Sequence, residues 1–329
     1  MAIGSGLGSQ FGISAESTYG TYVAPTKFIR ARSYNIDRVA SRVQGMGIST
    51  GQLGPLSSQY VETTVAGTGS VAFDVQNRGL GLMFASLTGT TATPAQAGTW
   101  SAYTTTFPIA DNYGKFHTIQ LGAPYRSGTV LAHSLSGAKC TGAEFSCAVD
   151  GLLAASFSFD GKTFSKAQSL ATASYTSTDV FRGSQMTLKA GAYSSESAVS
   201  GVRSVGMSFS RPMDVSDYTA GSSGAKSEPV MNGLFDITAT IEADWLAVAT
   251  FQDLAHGTTA TSLVWEFTGA TIASTYVDTF RITLPSVTFE PATQGVDGPG
   301  ELVNTWNATW RYDGTNLPSI VTVNADSAL

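Results

Sequence analysis

Apolar and small polar residues alternate with a period of two along much of the chain, and Gly, Asp and Asn interrupt the runs. From Asp236 to Asp244, an extended strand carries Asp236, Thr238, Thr240, Glu242 and Asp244 on one face and Ile237, Ala239, Ile241 and Ala243 on the other. The same rule sets Glu144, Ser146 and Ala148 against Phe145, Cys147 and Val149, and Ser156, Ser158 and Asp160 against Phe157 and Phe159. Asp150-Gly151 between these two segments is a hairpin turn signal. Arg203 to Arg211 repeats the pattern, with Val205, Met207 and Phe209 inward and Ser204, Ser208 and Ser210 outward. Four strands thus share one outer chemistry, hydroxyl groups with a few carboxylates and little Lys or Arg. Further strands are predicted at Gly69 to Val75, Phe116 to Leu121, Val264 to Phe267, Phe280 to Phe289 and Leu302 to Tyr312, the last with Leu302, Trp306, Trp310 and Tyr312 on one face.

Only two helices are predicted. Leu80, Met83, Phe84 and Leu87 follow i, i+3, i+4, i+7 spacing and stop at Gly89, as a short helix packed on a sheet would. A second runs from Trp245 to Ala255, with Asp244 as its cap and Gly257 beyond its end. The fold class is therefore all-β with one or two short helices. No Pro-rich or charged linker divides the chain, so residues 31–329 are expected to form one domain.

Residues 1–30 behave differently. Gly4 to Ser9 is too Gly-rich to fold alone, yet Phe11, Tyr19, Tyr22, Val23 and Phe28 supply anchors, which predicts an arm that docks on a neighbouring subunit. Ser41 to Ser58 is similarly loop-like, and a long loop in a compact domain is usually functional. Its apolar residues Met46, Ile48 and Leu53 join Phe11, Tyr19 and Tyr22 as candidate contacts between subunits. The runs from Gly89 to Trp100 and from Thr219 to Lys226 read as exposed loops.

Composition sharpens this picture. Lys, Arg, Asp and Glu make up 13% of 329 residues, half the ~25% of ordinary globular chains. Small neutral residues take their place, 35 of them Gly. Such a surface is hydrogen-bonding but uncharged, a solubility hazard unless copies or partners cover it. A net charge of -6 excludes an ordinary DNA-binding stripe. No apolar run approaches the ~18 residues of a membrane helix, and the opening Met1 to Gly6 lacks a basic region followed by an apolar core, so the chain is expected to be made and kept in a cytoplasm. The two cysteines, Cys140 and Cys147, would lie on opposite faces if one strand spans them, as two free buried thiols.

Candidate chemistry is sparse, and no enzyme, cofactor or metal site is expected. Gly47-Ile48-Ser49-Thr50-Gly51 matches a nucleophile elbow formally, but no buried strand precedes it and Pro55 follows. His117, His133 and His256 are scattered singly, without metal-ligand spacing. Glu242 and Asp244 are paired carboxylates of the kind a glycosidase uses, yet the recurrence of their face on other strands reads as a wall. A wall of small polar residues with a mild negative excess suits a conduit for a polyanion, because weak uniform repulsion keeps the duplex off the surface. The proposed lining is Glu144, Ser146, Ser156, Ser158, Asp160, Ser208, Ser210, Thr238, Thr240 and Glu242.

The order of several segments resembles the tail tube (major tail) proteins of long-tailed, non-contractile bacteriophages. The pieces are Phe11 to Thr21, the loop at Gly45 to Gly51, Leu87-Thr88-Gly89, Phe107 to Asp111, Gly137 to Cys140, Glu228 to Gly233 and Arg281 to Pro285. The loop from Gln44 to Gly54 is less charged than that family's pattern. The resemblance implies a β-sandwich subunit with a peripheral helix, six copies per ring, and stacked rings whose inner strands close a β-barrel. It also implies a tape measure protein in the lumen before DNA ejection, tail terminator and distal tail proteins at the ends, passage of double-stranded DNA without specific binding, and a place in the virion tail. The rivals are an outer-membrane porin, which needs an export signal and an aromatic-girdled apolar band, and a capsid-decorating or adhesive β-domain. Against the porin, the sequence finishes Ala325-Asp326-Ser327-Ala328-Leu329, without a terminal aromatic.

Overall fold

A computed structural model describes residues 5–125, 128–176, 178–244, 248–291, 299 and 301–329. In chain order its strands begin with β1 (Gln10–Ala15), β2 (Lys27–Ile29), β3 (Ala31–Gln44) and β4 (Tyr60–Asp74), and helix α1 (Gly81–Thr88) follows. Next come β5 (Ala95–Gln96), β6 (Tyr103–Pro108), β7 (His117–Pro124), β8 (Val130–Ala148), β9 (Ala154–Gly161) and β10 (Thr163–Ser165). The remainder is β11 (Met186–Gly191), β12 (Ser197–Ala198), β13 (Val202–Ser210), β14 (Asp236–Asp244), helix α2 (Val248–His256), β15 (Thr261–Ala273), β16 (Tyr276–Phe289), β17 (Val303–Trp310) and β18 (Ser319–Asn324).

All the named pairings are antiparallel, and the strands join into one large open sheet, so the all-β expectation holds. Its main run is β3-β4-β9-β8-β13-β14-β17. The edge of β16 divides there: residues 287–289 pair with β17, while 279–283 pair with β18, which leads to β6. The two branches fold over each other around aromatic rings. Phe145 of β8 lies 5.8 Å from Phe280 of β16, 5.8 Å from Phe157 and 5.7 Å from Phe209. A smaller wing, β2-β1-β7 with the first half of β8, packs on β4 and β9. There Leu135 of β8 leaves no room for side chains at its neighbours: a Cβ on Gly161 would stand 2.6 Å from its Cγ. Gly161→Val is therefore expected to lower stability by about 1–3 kcal/mol through overpacking. Urea unfolding measures it, and an unchanged midpoint would refute the close approach.

Local sequence explains most of the elements. α1 ends at Gly89, whose φ of 76° is left-handed and whose N–H bonds the Ala85 carbonyl. Met83 to Thr88 are all buried, so α1 is an interior helix, with Phe84 touching Phe107 and Phe280. The peripheral helix is α2, where Phe251 stacks on Phe289 at 5.0 Å while Asp253 and His256 face solvent. The expected start of α2, from Trp245, falls on residues 245–247, which lie outside the described residues; Asp244, its expected cap, ends β14 and pairs with Arg203.

One expectation is corrected. β8 does span both cysteines, but the pairing with β9 slips by one residue between Cys140 and Gly142. That bulge reverses the parity of the strand, so Cys140 and Cys147 both enter the core, and burial pushes their thiols up to about 12 and about 11. The N-terminal segment packs within its own subunit. From Gln10 onward it forms β1 between β2 and β7, and Phe11 and Ile13 are fully buried in the subunit's own core.

His117 is buried on β7, and desolvation lowers its imidazole to about 4. The folded state thus resists a proton that the unfolded chain accepts near pH 6.5. Stability is full above that pH and falls as the pH drops, by about 3 kcal/mol at pH 4. The stability of His117→Gln is expected to decline less over this window in denaturant titrations. Parallel pH profiles of the two proteins would contradict it.

Candidate functional site

The four strands singled out by their outer residues are neighbours in the order β9-β8-β13-β14, and their registers align the residues in rows. One row runs Ser156, Glu144, Ser208, Thr238. The next holds Ser146, Gly206 and Thr240, and a third Ser204 and Glu242, joined by a 2.9 Å bond from the Ser204 hydroxyl to the Glu242 carboxylate. On the other side Ser158, Gly142, Ser210 and Asp236 align. The opposite faces of these strands are core, with Phe145, Phe157, Val205, Met207, Phe209, Ile237 and Ile241 at most 2% exposed. Two more strands extend the face beyond what the alternation singled out. β17 adds Thr305, Asn307 and Thr309 beside Glu242, Thr240 and Thr238, and β4 adds Ser70 beside Ser158. The same alternation carries them: on β17, Thr305, Asn307 and Thr309 alternate with the buried Trp306 and Ala308. Among the described residues of these rows none is Lys or Arg.

Asp160 is the exception among the ten proposed lining residues. It follows Ser158 on β9 but is buried beneath the segment between β13 and β14, where both its oxygens accept from Lys226 at 2.6 and 2.5 Å. Desolvation holds its carboxyl above the usual range in spite of that cation. A second buried pair lies close by: Lys139 of β8 meets Glu228 at 2.6 Å and donates to the Pro229 carbonyl at 2.9 Å. Glu228 also accepts from the Gly114 N–H at 2.7 Å. These contacts strap the 212–235 segment across one end of the sheet.

Five of the seven family-like pieces of sequence meet around this strap; the loop at 45–51 and the β16 piece at 281–285 lie elsewhere. Glu16 accepts from the N–H groups of Gly20 and Gly137 and from the Thr118 hydroxyl. Arg211, buried under Phe235, donates to the carbonyls of Leu87 and Ala110, which satisfies the C-terminal end of α1 with a cation. Segments far apart in the chain are thus one structural cluster.

The candidate contact residues divide into two groups. Phe11 is buried, Tyr19 bonds the Ser227 carbonyl through its hydroxyl and packs edge-on against Phe116, and the Tyr22 hydroxyl accepts from Gln120 at 2.9 Å. All three make contacts within their own subunit; Phe11, fully buried, has no surface left for a neighbour, whereas Tyr19 and Tyr22 are half-buried. Met46, Ile48 and Leu53 are 81%, 94% and 104% exposed. They crown a projecting hairpin, because the strands continue farther than the loop-like composition suggested: Ser41 to Gln44 still belong to β3, and 45–56 form the tip. Ser49 of the nominal elbow is part of this tip, its hydroxyl on the Gln52 side-chain carbonyl at 2.8 Å. From Val43 to Val61 the arm carries no charge. Lower down, Arg38 and Arg42 both address Glu62.

The structure thus presents an open all-β sheet with one hydroxyl-rich face, whose few charges are acidic, and a projecting apolar arm, and the comparison with known families says what such a chain belongs to. Residues 6–311 match the family model of the phage tail tube protein, and the chain belongs to that family, a structural component of the bacteriophage virion tail. No curated protein matches it.

Proposed function

We propose that the chain is the major subunit of a hollow tail tube, six copies to a ring, through which double-stranded DNA is ejected into the host. The observation that carries this reading is the alignment of nine of the proposed lining residues in consecutive rows on one face of adjacent strands. If β9, β8, β13 and β14 line the tube, six copies make a barrel of roughly 24 strands. At ~4.8 Å spacing and ~40° tilt its diameter is ~48 Å, or ~38 Å inside the side chains. A duplex of roughly 20 Å passes with water around it. Lining by β4 and β17 as well would widen the backbone barrel to ~72 Å, so lumen width separates the two cases.

The chain acts as a wall and a self-assembling part, not as an enzyme, and needs no cofactor. A tape measure protein fills the lumen before ejection, terminator and distal tail proteins close the ends, assembly takes place in the host cytoplasm, and the subunit does not insert into a membrane. Electron cryomicroscopy of the purified protein tests this reading. Hollow tubes with Glu144, Thr238 and Thr240 toward the lumen are expected; tubes with that face outward, or particles that need detergent, would overturn it. Thr238→Lys with Thr240→Lys is expected to leave tubes intact but to make them retain DNA at low salt and release it as salt rises.

A further inference from the structure

We propose that Lys226 and Asp160 condense to a covalent amide, an isopeptide crosslink that seals the 212–235 strap to β9. The crosslink concerns the subunit alone and stands or falls apart from the tube reading above.

Sheet pairing and the strap bring the two side chains together. Asp160 lies opposite Thr68 of β4 and Lys139 of β8, and Lys226 reaches it from the strap. The Lys226 Nζ meets both carboxylate oxygens, at 2.6 and 2.5 Å, and the two side chains are only 2% and 11% exposed. A nitrogen in contact with both oxygens has the carboxyl carbon between them at ~3 Å, the range of a near-attack contact. Turning the carboxyl about its Cβ–Cγ bond, a soft torsion, opens the face of that carbon to the nitrogen.

The neighbouring pair shows what sets this one apart. Lys139 and Glu228 also meet at 2.6 Å, but that ammonium donates to the Pro229 carbonyl and faces the Tyr113 ring, while the carboxylate accepts from the Gly114 N–H. Those contacts support both charges. Among the described residues, Asp160 and Lys226 have no side-chain hydrogen bond except to each other. Burial of two ions with so few partners favours their neutral forms, and desolvation already holds the Asp160 carboxyl up. An amide carries no charge, so condensation relieves the desolvation of both groups at once.

The step balances within the pair. A proton passes from Nζ to an Asp160 oxygen, the free amine adds to Cγ, and a C–N bond replaces one C–O bond. The released oxygen leaves as water with two of the three ammonium protons, and the third stays on the amide nitrogen. No oxidant or co-reactant enters, and the closed surroundings keep bulk water from reversing the step. The crosslink closes the chain from 160 to 226 and narrows the unfolded ensemble as a disulfide does. It also fixes the base of the β3–β4 arm, because the Val65 N–H bonds the Gly224 carbonyl at 2.9 Å and Val65 bridges Ala225, the residue before Lys226.

Mass spectrometry of the purified chain, denatured and digested with trypsin, tests the crosslink. Trypsin is expected to cut after Lys139, a free amine, and not after Lys226, whose nitrogen is acylated. The digest is expected to hold a branched peptide joined through Asp160 and Lys226, lighter by one water than its two arms together. Lys226→Arg keeps the charge and the pairing with Asp160 but replaces the amine by a guanidinium that stays protonated, so the branched peptide is expected to vanish while the variant still unfolds cooperatively. The digest of the unaltered chain decides alone if that variant does not fold. Cleavage after Lys226 with only linear peptides, or a branch through Lys139 instead, would overturn the proposal.

Discussion

Glu228→Ala is expected to destabilise the subunit by about 3–5 kcal/mol, because it deprives the Lys139 ammonium, whose side chain is fully buried, of its paired carboxylate and leaves it the Pro229 carbonyl and the face of Tyr113. For a chain of this size that is a fall of roughly 5–15 °C in melting temperature. Lys139→Met combined with Glu228→Leu removes both ions together and is expected to recover most of the loss, since burial already works against the charge: desolvation holds the Lys139 ammonium below its ordinary pKa despite the carboxylate. Calorimetry of the single and double variants decides the matter. A single variant within ~1 kcal/mol of the parent would mean that the strap contributes little. The strap also covers one end of the polar face, so its loss is expected to expose Asp160 and shift stability and assembly together.

Ile48→Asp with Leu53→Asp is expected to abolish assembly and to leave the folded subunit as stable as before. Both side chains are almost fully in solvent, so they contribute nothing to the core, and two carboxylates buried against an apolar surface would cost several kcal/mol per contact. Light scattering or microscopy reads assembly, and a melting temperature within ~2 °C of the parent shows that the fold is intact. Normal tubes from this variant would show that the tip touches nothing. The contrast between the two experiments separates residues that hold the subunit together from residues that join subunits.

Much of the hydroxyl-rich face was legible because strand alternation is a local property. Ile237, Ala239, Ile241 and Ala243 are inward in the structure as the period of two requires, and so are Val205, Met207 and Phe209. Both helices were visible for a related reason, an apolar period near 3.6 with a Gly beyond the end. Both cysteines are free and buried as expected, and what escaped is that they share a face, because one extra residue in β8, invisible in composition, reverses the parity of the strand. The burial of Phe11 was not legible because an aromatic residue in a Gly-rich stretch has the same appearance whether its partner is another subunit or β7 of its own.

Side-chain periodicity determines, residue by residue, which atoms of a strand can be wet and which dry, so the hydroxyl-rich face and its shortage of cations follow from the order of amino acids alone. Which strands lie side by side is set by pairings between residues far apart in the chain, and no local pattern encodes them. The rows through Ser156, Glu144, Ser208 and Thr238, the burial of Asp160 under Lys226 and the meeting of Lys139 with Glu228 exist only once those pairings form. The reason is physical: hydrophobic periodicity specifies a face, whereas register and the pairing of buried ions depend on the closure of long loops around a common core.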